Sequence, residues 1–174
     1  MLRPTPTQTE RIFGDDEIIV SKTDTKGRIL YANDVFCRVG QYAERELIGQ
    51  PHSILRHPDM PRCVFQLLWD VITDGREIFA YVKNLAKSGD YYWVLAHVTP
   101  SYDKAGRIEG YHSNRRRPDA AAIRQIAPLY QALLEEERRH ADRKQGQAAG
   151  VALLQKLLAD RGQSYDEFVF ALAT

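Results

Sequence analysis

Short apolar runs of β-branched and aromatic residues, set between turn signals, fill most of the first two-thirds of the chain; helical spacing takes over afterwards. Glu17–Asp24 (EIIVSKTD) is rich in β-branched residues and predicts a strand. Thr25-Lys26-Gly27 turns the chain into a second strand at Arg28–Ala32, and strands joined so tightly pair antiparallel. Asn33-Asp34 offers an N-cap for a short helix over VFCRV, which Gly40 ends. Ala43–Leu47 adds a helical turn closed by Gly49 and Pro51. Pro61 opens a longer helix with Val64, Phe65, Leu67, Leu68, Val71 and Ile72 on a broad apolar face, stopped at Asp74-Gly75. Three further strands are predicted at Ile78–Ala86, Tyr91–Pro100 and Arg107–Arg115, with turns at Lys87–Asp90 and Asp103–Gly106.

The order is strand, strand, short helices, then three strands. Runs of antiparallel strands with helices grouped between them predict an α+β fold, not a parallel βαβ one. From Pro118 the pattern is helical, with Ile123, Ile126, Leu129, Tyr130, Leu133 and Leu134 in register over Ala120–Lys144. Pro128 predicts a kink or a division into two helices. Glu135–Lys144 (EEERRHADRK) reads as a solvated face with a Glu135/Arg139 pair, and Gly146 and Gly150 as loosening the chain. A short helix follows at Val151–Ala159, and Ser164 caps a last one over DEFVFALA. The predicted organisation is an N-terminal arm at 1–16, a domain at 17–117 and a helical extension at 118–174. The arm reads as loose, docked by Ile12 and Phe13.

Bulk composition changes this picture little. The chain has 174 residues, 44% hydrophobic and 27% charged, with a net charge of +1. That balance suits one domain plus an appendage and argues against nucleic-acid binding by phosphate neutralisation. No apolar run approaches the roughly 20 residues that span a bilayer, and the N-terminus lacks a signal-like apolar stretch. A cytoplasmic protein without direct membrane insertion is the expectation. Cys37 and Cys63 form no metal-type pair and read as small buried hydrophobes. The five histidines make no metal constellation. There is no nucleophile elbow, P-loop or GxGxxG, so an enzyme is not expected.

The densest chemistry lies in Gly49–Trp69 (GQPHSILRHPDMPRCVFQLLW), where His52, Arg56, His57 and Asp59 crowd ahead of an apolar helix. Such a segment either caps a pocket or forms an ordinary polar turn in which Arg56 and Asp59 pair. Trp69 and Trp93 serve core packing whatever else they do. The run Arg115-Arg116-Arg117 reads as a solvated strand end, or as a meeting point for a pyrophosphate or an acidic partner.

AND-x-F, GQPH-x-x-x-RHPDMP, the Trp in the next helix, VKN and GD-x-YWV together resemble a PAS sensor domain. More narrowly they resemble the flavin-binding PAS domain of aerotaxis, or energy-taxis, transducers. The likeness covers about Ile18 to Leu134. It implies a five-stranded antiparallel sheet with short helices on one side, an FAD cofactor, and a redox or oxygen sensor. The implied FAD contacts are Arg56, His57, Asp59, Trp69 and Asn84, with His52 nearby. Arg56 offers a planar fork for a phosphate or ring carbonyl, and Asn84 can donate to and accept from the ring edge. The family's Trp on the first strand after the helix is replaced here by Ile78 or Phe79. The related blue-light class carries a reactive thiol where this chain has His52, so no photo-adduct is expected. His112 falls where that class places a Gln beside the reactive flavin nitrogen.

The implied partner is a chemoreceptor or other signalling protein, with a homodimer formed through the arm or the helical tail. Two alternatives stand beside the FAD sensor: a haem-binding PAS gas sensor with a histidine ligand, and a cofactor-free interaction module.

Overall fold

The computed structural model describes residues 4–172. Five strands form one antiparallel sheet: β1 (Ile19–Asp24), β2 (Ile29–Ala32), β3 (Ile78–Leu85), β4 (Tyr91–Tyr102) and β5 (Ile108–Arg116). Their spatial order is β2-β1-β5-β4-β3. The hairpin expected from the Thr25-Lys26-Gly27 turn forms, with Ser21 opposite Ala32. α1 (Asp34–Gly40) and α2 (Glu44–Leu47) follow β2, and a 3-10 turn at His52–Leu55 precedes α3 (Arg62–Thr73). Beyond the sheet lie α4 (Ala120–Arg138), α5 (Arg143–Arg161) and α6 (Tyr165–Ala171). This is the expected α+β architecture: a five-stranded antiparallel sheet with short helices, and a C-terminal helical extension.

The local signals have identifiable causes. Asn33 caps α1 by accepting the Phe36 N–H, and its amide also donates to Ile18 O at 2.8 Å, which ties the helix start to β1. Ser164 and Glu167 cap α6 reciprocally. α4 runs unbroken through Pro128, so of the kink and the division expected there the division does not occur. Pro128 is exposed, so the carbonyl it leaves unbonded meets solvent. The break falls instead after Arg138, and Asp142 starts α5 by accepting the Gln145 N–H.

The residues form two compact units. One holds the chain up to His57 together with Val71–Arg117; the other holds Pro58–Asp70 and the chain from Pro118 onward. The first contains the sheet, α1, α2 and the 3-10 turn, and its core includes Ile19, Ile29, Phe36, Leu47, Leu55, Ile78 and Tyr92. The N-terminal arm is not loose: Thr7 N–H donates to Gly89 O, Tyr91 N–H to Thr9 O and Arg11 N–H to Tyr91 O. Phe13 is buried, whereas Ile12 is exposed.

In the second unit Glu137, read from sequence as part of a solvated run, is 1% exposed. Its carboxylate accepts the Cys63 N–H at 2.7 Å and Arg62 Nε at 3.0 Å, filling the open N-terminus of α3. Gly146 and Gly150 do not loosen the chain; both lie inside α5 against this group. A Cβ on Gly146 would stand 2.3 Å from Glu137 O, so α4 and α5 approach closely only because these positions have no side chain. Arg139 pairs with Glu136, not Glu135.

Candidate functional site

Strand alternation assigns each side chain of the sheet to a face. The register pairs Asn84 with Tyr92, Val82 with Val94, Ala80 with Ala96, and Ala96 with Arg115. Arg115 in turn lies opposite Ile19, and Ser113 opposite Ser21. These residues therefore share one face, here called inner. Phe36 of α1 and His52 of the 3-10 turn lie over it, contacting Arg115 and Ser21. Small side chains (Ala80, Ala96, Val82, Val94) floor its β3–β4 side.

A strap crosses this face from one sheet edge to the other. At the β2 edge, Gly49 N–H donates to Ile29 O, Ile29 N–H to Gln50 O, and His52 N–H to Gly27 O. At the β3 edge, Arg56 bridges Asn84 and His57 N–H reaches Lys83 O. Between them the 3-10 turn buries Leu55 and hangs His52 over the sheet. The segment singled out by its density of polar side chains is thus, over Gly49–His57, a span anchored at both ends.

The most unusual group under the strap is Arg115. It is 2% exposed, although the sequence reading placed it at a solvated strand end. Its guanidinium lies 4.5 Å from the centre of the Phe36 ring, a cation–π contact. One terminal nitrogen donates to Ser21 Oγ at 2.5 Å and the other to His52 Nε2 at 3.3 Å. Both acceptors are neutral, and no carboxylate among the described residues pairs with it. Burial pulls the Arg115 pKa down to about 10, so the group remains charged at neutral pH. Arg115 Nε is buried without an acceptor, and so is the Tyr92 hydroxyl on the same face. Burial pushes the Tyr92 hydroxyl well above its ordinary range.

His52 is governed by the same surroundings. Desolvation first, and the Arg115 charge second, lower its pKa to about 3. It is neutral at physiological pH and accepts through Nε2.

The residues expected to contact a cofactor separate into groups. Asn84 is buried on the inner face, His52 hangs over it, and Arg56 runs beside Asn84 at the β3 edge. His57 is buried beside that edge, its ring centre 6.1 Å from that of Tyr91, which belongs to the opposite face. Asp59 and Trp69 belong to the second unit. His112 is a correction: it pairs with Lys22 and Thr99 on the face away from Arg115 and bonds Asn114 there. Its neighbours Tyr111 and Ser113 take the inner positions. For Arg115 the sequence leaves a solvated strand end and a pyrophosphate or acidic-partner contact open; the same alternation, counted from Tyr111 and Ser113, points it inward.

Similarity to known proteins identifies the family. The PAS fold family matches residues 29–114. The chain carries a PAS domain. It is 42% identical over 130 residues to the aerotaxis receptor of Escherichia coli (strain K12), covering 75% of this chain and 26% of that protein. It is 29% identical over 99 residues to a nitrogen fixation regulatory protein of Klebsiella pneumoniae, covering 57% of this chain and 20% of that protein. A light-state structure of the blue-light photoreceptor Aureochrome1 LOV shares the fold at a TM-score of 0.55 and 23% identity, over 70% of this chain and 91% of that one. This PAS chain spans only 26% and 20% of the length of the two curated relatives. No helix among its described residues is long and apolar enough to cross a membrane.

Proposed function

We propose that this PAS domain binds FAD on the inner face of its sheet and reports the flavin's redox state to a signalling partner, as part of an energy-taxis type sensor. The observation that carries the reading is the pair of buried, unanswered donors, Arg115 Nε and the Tyr92 hydroxyl, under a strap anchored at both sheet edges. A flavin ring presents carbonyl and nitrogen acceptors along one edge, and its phosphates are anionic, so it matches a donor-rich, cationic wall over a small-residue floor. The likeness to an aerotaxis receptor supports the sensor role.

When bound, the flavin supplies reversible electron acceptance. The chain's own residues supply the rest. Asn84 lies on the inner face to meet a ring edge, Arg56 stands at the rim for a phosphate or ring carbonyl, and the strap excludes water. His57, Asp59 and Trp69 stay proposed contacts by resemblance. The haem alternative needs a histidine presented to the ligand; His52 already gives Nε2 to Arg115 and Ser21, and His112 stands on the other face.

The proposed readout is the strand carrying Arg115, which leads through Pro118 into α4. A change in what Arg115 faces biases that strand, and the helices beyond it offer a surface to a chemoreceptor or a second copy. The test is an absorption spectrum of the purified chain before and after dithionite. Flavin bands that bleach on reduction are expected. A colourless protein that takes up no added FAD overturns the reading.

A further inference from the structure

We infer that Arg115 is the residue that receives the negative charge of a reduced flavin, so that this PAS domain binds the reduced ring more tightly than the oxidised one. The inference rests on the flavin reading above and assigns the charge-bearing contact within it.

An arginine that is 2% exposed and has, among the described residues, no carboxylate partner is a costly arrangement. Buried arginines are ordinarily compensated by an acid. Here each contact is neutral: the Ser21 hydroxyl, the His52 imidazole and the Phe36 ring. Among the described residues Tyr92 is the other ionisable group that acts on it, and burial keeps that hydroxyl protonated. His52 cannot supply a countercharge, because a neutral imidazole is the most it offers. A cation with an unused Nε–H on the ligand-facing side of a sheet is therefore a site for an anion.

The ligand's own chemistry supplies that anion. A reductant such as dithionite delivers two electrons to an oxidised flavin; with one proton taken up from solvent the reduced ring carries a single negative charge, which a second proton would cancel. Arg115 balances that charge in place of the second proton, and the surrounding low dielectric strengthens the attraction. Oxidised flavin, with a neutral ring, gains only a hydrogen bond from the same group. The preference for the reduced state is thus the difference between a charged and a neutral partner for one guanidinium.

The experiment compares the full chain with Arg115→Met and Arg115→Lys, reconstituted with FAD. Affinity is measured for oxidised FAD and, under dithionite, for reduced FAD; thermal unfolding is followed without ligand. In the wild type the ratio of oxidised to reduced dissociation constants should exceed that of Arg115→Met by about tenfold or more. Arg115→Lys, which keeps the charge, should retain most of the preference. Ligand-free Arg115→Met should be at least as stable as the wild type, since it removes an uncompensated buried charge; a purely structural arginine would lose stability instead.

An equal ratio in wild type and Arg115→Met overturns the inference and leaves flavin binding standing. A preference lost equally in Arg115→Lys and Arg115→Met also overturns it, because charge is then not the agent. Absence of binding to either redox state in every protein overturns the flavin reading and this inference together.

Discussion

The carboxylate of Glu137, near the end of α4, accepts the backbone N–H of Cys63 in the first turn of α3 at 2.7 Å, and both residues are buried. The bond makes a charged side chain from one helix the cap of another. Arg62 Nε, at 3.0 Å, completes the charge balance. Removing the carboxylate leaves Arg62 and the helix N–H groups without it. Glu137→Ala should lower stability by about 3 kcal/mol, with Glu137→Gln losing less because it keeps an acceptor. Urea unfolding followed by far-ultraviolet circular dichroism measures both.

Glycine at 146 should be less replaceable than glycine at 150. A Cβ at 146 meets the Glu137 backbone oxygen at 2.3 Å, which cannot move without displacing α4. At 150 the nearest atom is Glu137 Cγ, at 2.9 Å, part of a side chain that can shift. Alanine in an open helix would gain about 1 kcal/mol over glycine. Here Gly146→Ala should instead cost about 1–3 kcal/mol, and more than Gly150→Ala, as read from their urea midpoints.

Stability should fall on the acid side through His52. Its folded pKa, about 3, lies below its ordinary 6.5, so the unfolded chain binds the extra proton first. The stabilisation is whole above pH 6.5 and drains away as pH drops towards 3. His52→Gln should flatten the urea midpoint across that window.

The alkaline side mirrors this through Cys63. Burial, then the Glu137 charge and hydrogen bond, push its thiol up to about 12 from 9.0. The unfolded chain therefore loses its proton first, and stability should decline as pH rises from 9 towards 12. Cys63→Ala should lessen that slope. At neutral pH an alkylating reagent should label Cys37, which is half-buried, well before Cys63, as peptide mass analysis would resolve.

Flavin content should separate the two faces of the sheet. Asn84→Ala, on the inner face, should purify with much less FAD, whereas His112→Ala, on the outer face, should retain it. The ratio of flavin to protein absorbance reports both.

Much of the fold was legible because each strand is bounded by its own turn chemistry. Asn33 at an N-cap, Gly27 and Gly89 in turns, and Ser164 before Glu167 act within a few residues of themselves. What stayed hidden acts at long range. Glu137 sits in a run of charges of both signs, and nothing local marks it as the partner of Cys63. Gly146 and Gly150 look like interruptions until the opposing helix is present. Arg115 is masked by the two arginines after it, and His112, singled out only by resemblance, falls on the face away from Arg115.

β4 begins well before β5 has arrived to pair with it: the register between them ends at Leu95 and Arg116, leaving Tyr91 with a flank for which β5 has no residue. Thr9 and Arg11 fill that flank from the N-terminal arm. A chain shortened to start at Asp16 would therefore lay bare a strip of unbonded peptide groups next to aromatic side chains, an adhesive margin for other copies. The tail ahead of the domain is in this sense a selvedge, keeping the weave of the sheet from catching on its neighbours.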